Sequence, residues 1–337
     1  MVDKNRVWEF YESTIQPENE NILLKRDLQE KEINLNLKRR TKAEIALICA
    51  AVMWGLTFPF IRIVIKEITP LQLVFFRGLF AALIFLPFVL LSRVNRDYFF
   101  KTLPIGALLG ILYFTSYYTQ SIGLQTIPSG RSAFITNLSV IFVPFLSPFF
   151  RRGWPSRNDA ISCMIAMVGI YFLTNPFRHA GLKPGDFYTI ITAISFSFQI
   201  HILQWAVEKN PFPTLYAFWQ VAFIGLFSGI LLPFSKMEHS YLSMSPLAIL
   251  SLIYLILVGM VLTTWLQSRY QSDTTPERAT VIYIIEPIFA CFFGYLILNE
   301  SMSMRNLFGG FLIIVAVLWT YILKFFIQEK NQDDLQL

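Results

Sequence analysis

From residue 43 onward, long apolar stretches alternate with short polar breaks. Neither the period of an amphipathic surface helix nor the alternation of a half-buried strand runs through them. A helix that crosses a hydrocarbon layer about 30 Å thick needs about 20 mainly apolar residues. Ten segments qualify: 43–66, 70–92, 102–125, 129–150, 157–175, 186–207, 212–234, 246–270, 276–298 and 303–325. Turn-forming residues punctuate them at Thr69-Pro70, Pro128-Ser129-Gly130, Gly153-Trp154-Pro155, Lys183-Pro184-Gly185, Asn210-Pro211 and Thr275-Pro276. Barrel strands would be shorter and alternating. The expected fold is all-α, a polytopic membrane protein with ten transmembrane helices.

Composition agrees. Of 337 residues, 55% are apolar and 15% charged, against about 25% charged in an ordinary soluble domain. The 33 Phe and a mean hydropathy of +0.52 exclude a disordered chain and argue against a nucleic-acid-binding domain with a dominant basic surface. The net charge of +6 is read as a topology signal. With the N-terminus inside, the inner loops and tails carry twenty Lys and Arg and the outer loops six, and Arg62 and Arg77 lie within spans. Both termini are expected in the cytoplasm. Residues 1–42 form a charged N-terminal tail and 326–337 a C-terminal tail. Lys38, Arg39, Arg40 and Lys42 are also placed to meet anionic headgroups. No run of signal-peptide length precedes residue 43, so the first span is expected to double as the targeting signal. Cys49, Cys163 and Cys291 lie far apart within apolar runs, without the spacings of metal or disulfide sites. No metal, cofactor or nucleic-acid partner is expected.

The two halves resemble each other at a common offset. Tyr118-Thr119-Gln120-Ser121 matches Trp265-Leu266-Gln267-Ser268, and the same shift of about 147 residues pairs Arg131 with Arg278 and Phe142 with Phe289. A slightly smaller shift pairs Pro70, Phe75 and Arg77 with Pro213, Phe218 and Gln220. Residues 43–175 and 186–325 thus read as two five-span copies. Five is odd, so the second copy enters the membrane from the opposite side. Inverted repeats are a recurrent carrier architecture, with the substrate near the midplane between the copies.

Trp54-Gly55 followed by Phe58 and Arg62, Arg77 in the second span, and the helix starts Gly130-Arg131-Ser132-Ala133-Phe134 and Pro276-Glu277-Arg278-Ala279 resemble the drug/metabolite transporter superfamily, EamA type. Glu286-Pro287, Glu300 and Gly309-Gly310 agree, and the resemblance covers about 43–325. The resemblance implies a ten-helix secondary carrier, commonly an exporter of amino acids or other small metabolites. In it, spans one, three, four, six, eight and nine bound a central cavity. The long charged tail departs from the pattern, as does Pro59, which is expected to kink the first span.

Glu286 is the only acid deep in a span, ten residues past Pro276 or about 15 Å along a helix, near the bilayer middle. It reads as a contact for a substrate ammonium or a proton-exchanging group, or as a hydrogen-bonded support for the Pro287 kink. Tyr113, Tyr117, Gln120 and Leu124 share one helical stripe, suited either to a cavity wall or to interhelical packing. Trp54, Trp265 and Gln267 join them as candidate substrate contacts, with Gln199, Gln204 and Gln220 ranked below. Arg77 is read as an anchor ahead of a carboxylate contact, and Arg62 as a snorkelling residue ahead of a gate. His201 is read as an interhelical hydrogen-bonding residue ahead of a proton relay. His179 and His239 fall in outer loops. No phosphate loop, zinc helix or nucleophile elbow is present, so ATP-driven pumping and hydrolysis are unsupported and the chain is not expected to be an enzyme. The expected partners are the bilayer, a small metabolite, and protons or another ion as coupling partner. The competing readings are an uncoupled facilitator or lipid flippase of the same fold, and a non-transporting scaffold or intramembrane enzyme.

Overall fold

A computed structural model describes residues 37–92, 96–150, 154, 157–174, 182–210, 212–235, 244–301, 303–305, 307–316 and 319. They form helices α1 (Leu37–Val64), α2 (Pro70–Leu91), α3 (Arg96–Gly123), α4 (Ser129–Thr136), α5 (Ser139–Leu146) and α6 (Arg157–Thr174). After these come α7 (Pro184–Lys209), α8 (Pro213–Leu231), α9 (Pro246–Ile256), α10 (Thr263–Tyr270), α11 (Pro276–Tyr283), α12 (Glu286–Leu298) and α13 (Leu307–Ala316). No strand occurs among the described residues. By internal contacts the chain divides after Ala43. In the first unit only 37–43 are described, as helix, with Thr41 Oγ1 donating to the Leu37 carbonyl at 3.0 Å. The charged tail expected to end at Lys42 is therefore helical over its last residues.

Five helices open on proline at the first helical position, where the missing N–H is not needed and φ is already helical. Three also have a hydroxyl cap. Thr69 forms a capping box with Gln72, Ser245 accepts from the Ala248 N–H, and Thr275 accepts from the Arg278 N–H. The turn signals at Thr69-Pro70, Pro128-Ser129, Lys183-Pro184 and Thr275-Pro276 are thus helix starts.

Among the described residues, eight helical stretches are long and apolar enough to cross a membrane: 37–64, 70–91, 97–123, 129–150, 184–209, 213–234, 246–273 and 276–298. The expected fifth and tenth spans correspond to shorter apolar helices, Ala160–Phe172 and Leu307–Ala316. Much of 303–325 and all of 326–337 lie outside the described residues, as do His179 and His239. Many large apolar side chains, Phe88, Leu91, Phe149 and Leu250 among them, are exposed on the bundle surface. Helices satisfy their own backbone groups and present these side chains to lipid, so the molecule is a multi-pass membrane protein.

Pro59 does not end α1, which continues through it to Val64. The breaks lie elsewhere. Span four divides into α4 and α5 around Asn137 and Leu138, and span nine into α11 and α12 around Ile284 and Ile285. Both the half-helix starts Ser129 and Pro276 and the restarts Ser139 and Glu286 are 147 residues apart. Span eight carries a π-helical turn, Leu257–Leu262, between α9 and α10.

Packing follows a few close approaches. α2 lies along α8, and α3 lies along α7 and α8. α4 and α5 lie against α7, α11 against α5, and α12 against α4. At the α2–α8 crossing, Gly78 and Gly225 meet: a Cβ on Gly78 would stand 2.4 Å from the Gly225 nitrogen, so only glycine permits this separation. A Cβ on Gly55 would stand 2.5 Å from Phe289 Cβ and 2.9 Å from the Glu286 carbonyl, which brings α1 directly onto the start of α12.

Candidate functional site

The break in span nine places Glu286 in the first turn of α12, and Gly55 lets α1 come alongside it. One residue earlier on α1, Trp54 packs edge-on against Tyr283 at 5.3 Å and Phe196 at 5.9 Å between ring centroids. From α3, Tyr113 and Tyr117 meet in a T-shaped pair at 5.0 Å. Such pairs contribute about 0.5–1.5 kcal/mol each beyond area burial and hold the rings in fixed directions. Together these elements border a cavity of about 380 Å3 when its open mouth is counted.

Trp54, Tyr113, Tyr117, Gln120 and Glu286 line this cavity, together with Thr57, Ser116, Thr136, Thr192 and Phe196. The helical stripe on α3 thus faces a void rather than a flat helix contact. Asn137, in the span-four break, donates to the Ala133 carbonyl at 3.0 Å and lies close to Glu286. Trp54 Nε1 and Thr136 Oγ1 are buried cavity-lining atoms with no hydrogen-bond partner. Buried polar groups are normally paired, so these two await a ligand or water.

Gln267 lies behind the wall, fully buried, and accepts from the Tyr113 hydroxyl at 2.8 Å. It starts a chain of amides. Gln199 donates to Gln220 at 2.7 Å and to Gln267 at 3.3 Å, Gln220 donates to Ser268 at 3.2 Å, and Gln271 donates to the Ile200 carbonyl at 2.7 Å. Tyr283 donates to Gln271 at 3.4 Å, and Gln204 donates to the Thr274 carbonyl at 2.9 Å. This network joins α7, α8, α10 and α11 and leads from Tyr113 toward the Arg269 end of the bundle. Trp265 is not in the lining. It packs on the core, with its ring 6.1 Å from Tyr270.

Interhelical ties draw the opposite end together. Arg62 pairs with Glu300, whose carboxylate also accepts from the Ser129 N–H at 3.2 Å. Asn299 makes this pairing reachable: it takes a left-handed φ of 53°, tolerated by Asn, and turns the chain so that Glu300 folds back. Arg131 holds Asp186 in a bidentate pair, both bonds 2.7 Å. Glu67 accepts from the Ser245 hydroxyl at 2.5 Å and its N–H at 2.7 Å, and these bonds hold the Glu67 carboxyl below its ordinary pKa. Arg62 is thus an ion-pair partner across the end of the bundle.

Arg77 is fully buried, so it does not snorkel. Its Nη2 donates to the Gly259 carbonyl in the π turn at 3.2 Å, and its guanidinium lies 4.3 Å over the Tyr117 ring. His201 Nε2 contacts the Val143 carbonyl at 2.8 Å, and its ring stacks on Phe150 at 4.7 Å, an interhelical placement away from the cavity lining. No group of three or more His, Cys, Asp or Glu among the described residues is arranged to hold a metal ion.

The model of the EamA-like transporter family matches residues 41–175 and again 183–322. The chain belongs to the EamA-like transporter family. An uncharacterized transporter of Archaeoglobus fulgidus is 29% identical over 83% of this chain and 86% of its own length. The uncharacterized inner membrane transporter YicL of Salmonella typhimurium is 24% identical over 82% and 94%, and a WAT1-related chloroplastic protein of Arabidopsis thaliana 24% over 80% and 67%. A solved crystal structure at 12% identity superposes with a TM-score of 0.65, covering 84% of this chain and 98% of its own, which shows a shared fold.

Within this EamA-like transporter, sequence reasoning missed five lining residues. Ser116 had a signal, since it continues the Tyr113, Tyr117 and Gln120 stripe at helical spacing. Thr57 lies three residues past Trp54 on the same face. Thr136, Thr192 and Phe196 had none, because small hydroxyls and phenylalanines occur on every face of these spans.

Proposed function

We propose that the protein is a secondary carrier that moves a small organic metabolite, an amino acid or amine, across the membrane by alternating access. The cavity at the broken span nine carries this reading. It presents one carboxylate, Glu286, among aromatic faces and hydroxyls, and its lining holds no dense cationic cluster. A substrate ammonium would lie against Glu286 or an aromatic face, and the apolar portion against Trp54, Tyr113 and Phe196. Multiply charged phosphates would lack counter-charges there.

Two inverted five-helix units, 43–175 and 186–325, would rock about this site. Supporting this are the equal 147-residue offsets of the broken spans, the Gly78–Gly225 crossing and the twofold match of the family model. Two more short spans, containing α6 and α13, would complete ten. The amide network on one side of the cavity and the ties of Arg62, Arg131 and Glu67 at the other end would serve as the two closures. Rocking would exchange these closures. Glu286 is the group through which proton coupling would act. The Lys and Arg asymmetry supports cytoplasmic termini, the name of YicL supports the inner membrane, and the family resemblance supports an outward direction.

Counterflow in proteoliposomes tests the reading. Vesicles preloaded with a mixture of neutral amino acids and amines are expected to take up at least one labelled member, chemically unchanged. Exchange of a sugar phosphate or nucleotide sugar, with amino acids and amines inert, would overturn the substrate class. Absence of any flux would favour a scaffold, and conversion of the label an enzyme.

A further inference from the structure

Arg77 is a full positive charge inside a membrane-spanning helix, with no solvent exposure. No carboxylate pairs with it among the described residues. One of its nitrogens, Nη2, reaches the Gly259 carbonyl, while Nε and Nη1 have no hydrogen-bond partner. An uncompensated buried guanidinium is expensive, and such charges in membranes are normally paired or aimed at a polar cavity.

Its position explains the arrangement. The guanidinium lies over the ring of Tyr117, which is itself a lining residue of the cavity. A Cβ placed on Gly259 would stand 2.7 Å from the Thr57 methyl and 3.8 Å from Arg77 Nη2, so Thr57, a second lining residue, and the guanidinium both lie beside Gly259. The π turn in span eight makes this position available, because its widened backbone offers the Gly259 carbonyl to Arg77. Among the unmet groups, Trp54 Nε1, Arg77 Nε and Arg77 Nη1 are donors only and call for an acceptor, and the Thr136 hydroxyl can donate as well as accept.

We propose that Arg77 is the carboxylate-recognition residue of the cavity, so that the cargo is a zwitterion that carries both a carboxylate and an ammonium rather than an amine alone. The inference rests on reading the cavity as the carrier's binding site. The carboxylate accepts from Arg77 once the Tyr117 side chain turns off the guanidinium, and Trp54 Nε1 adds a donor. The ammonium faces Glu286 across the cavity. A fork of parallel N–H groups suits a planar carboxylate, and an ammonium in its place does not reproduce the fork.

The test pairs each neutral amino acid with its decarboxylated amine, for example L-phenylalanine with phenethylamine and L-leucine with isoamylamine, in proteoliposome counterflow. The wild-type protein is expected to exchange at least one amino acid about tenfold faster than its amine. R77Q is expected to lower that exchange about tenfold or more and to erase the preference, and R77K to retain part of it. Thermal unfolding in detergent checks that each variant is folded. Equal exchange of amino acids and amines by the wild type overturns the proposal. So does a folded R77Q that keeps the preference or loses both substrates equally. If the wild type exchanges neither class, the reading of the cavity as an amino-acid or amine site fails first, and the proposal with it.

Discussion

Glu286 and Arg77 owe their behaviour to their neighbours rather than to their residue types. Glu286 sits in the first turn of α12, within hydrogen-bonding reach of Asn137, and borders a cavity rather than lipid. Glu286→Gln keeps the shape and a hydrogen-bonding side chain but removes charge and titration. It is expected to reduce exchange about tenfold or more, on the order of 1.4 kcal/mol, and to flatten any pH dependence of transport, while thermal unfolding shifts little. Unchanged rates and an unchanged pH profile would make Glu286 a structural residue. Trp265 and His201, two of the candidates that fall outside the lining, show what residue type alone conveys. An aromatic or imidazole in a span is equally suited to a cavity and to a helix contact, and only packing distinguishes them.

Helix starts were legible because their chemistry is local: proline at the first position and a hydroxyl cap satisfy backbone groups within four residues. Helix interruptions were less so. Pro59 leaves α1 intact, whereas span four breaks at Asn137 and Leu138 without a proline there, and span eight widens into a π turn over Leu257–Leu262. These breaks depend on partners from other spans, such as Arg77 at Gly259. Close approach at glycines is the other element-level device. Gly78→Val puts a branched side chain where a Cβ alone would meet the Gly225 backbone at 2.4 Å. Overpacking of this kind costs about 1–3 kcal/mol. The variant is expected to unfold at lower temperature in detergent and to lose transport in proportion. An unchanged unfolding temperature would mean that α2 and α8 separate without penalty.

For the whole molecule, the charge asymmetry makes a prediction about sidedness that is independent of substrate. Single cysteines introduced in the loops near Arg96, Arg152 and Arg278 are expected to resist impermeant thiol reagents added outside intact cells, and those at Ala180 or Ser240 to react. The three native cysteines are replaced first. The reverse pattern would overturn the inside placement of both termini, and reactivity on one side at both groups of sites would overturn the odd number of spans per repeat.

Length and position of the apolar runs, the proline and hydroxyl punctuation and the common offset between Gln120 and Gln267 were sufficient for an all-helical, multi-span transporter, because transfer of about 20 apolar residues into lipid depends on the segment itself and hardly on its neighbours. The stripe of Tyr113, Tyr117 and Gln120 was legible for the same reason, being a property of one helix. What the stripe faces was not. Glycines 55, 78 and 225 set which helices touch. The broken spans four and nine set where Glu286 lies, and the π turn supplies the carbonyl that holds Arg77 inside the bundle rather than at the lipid surface. Each of these depends on atoms brought together from residues more than a hundred positions apart, and such contacts leave no periodic trace along the chain.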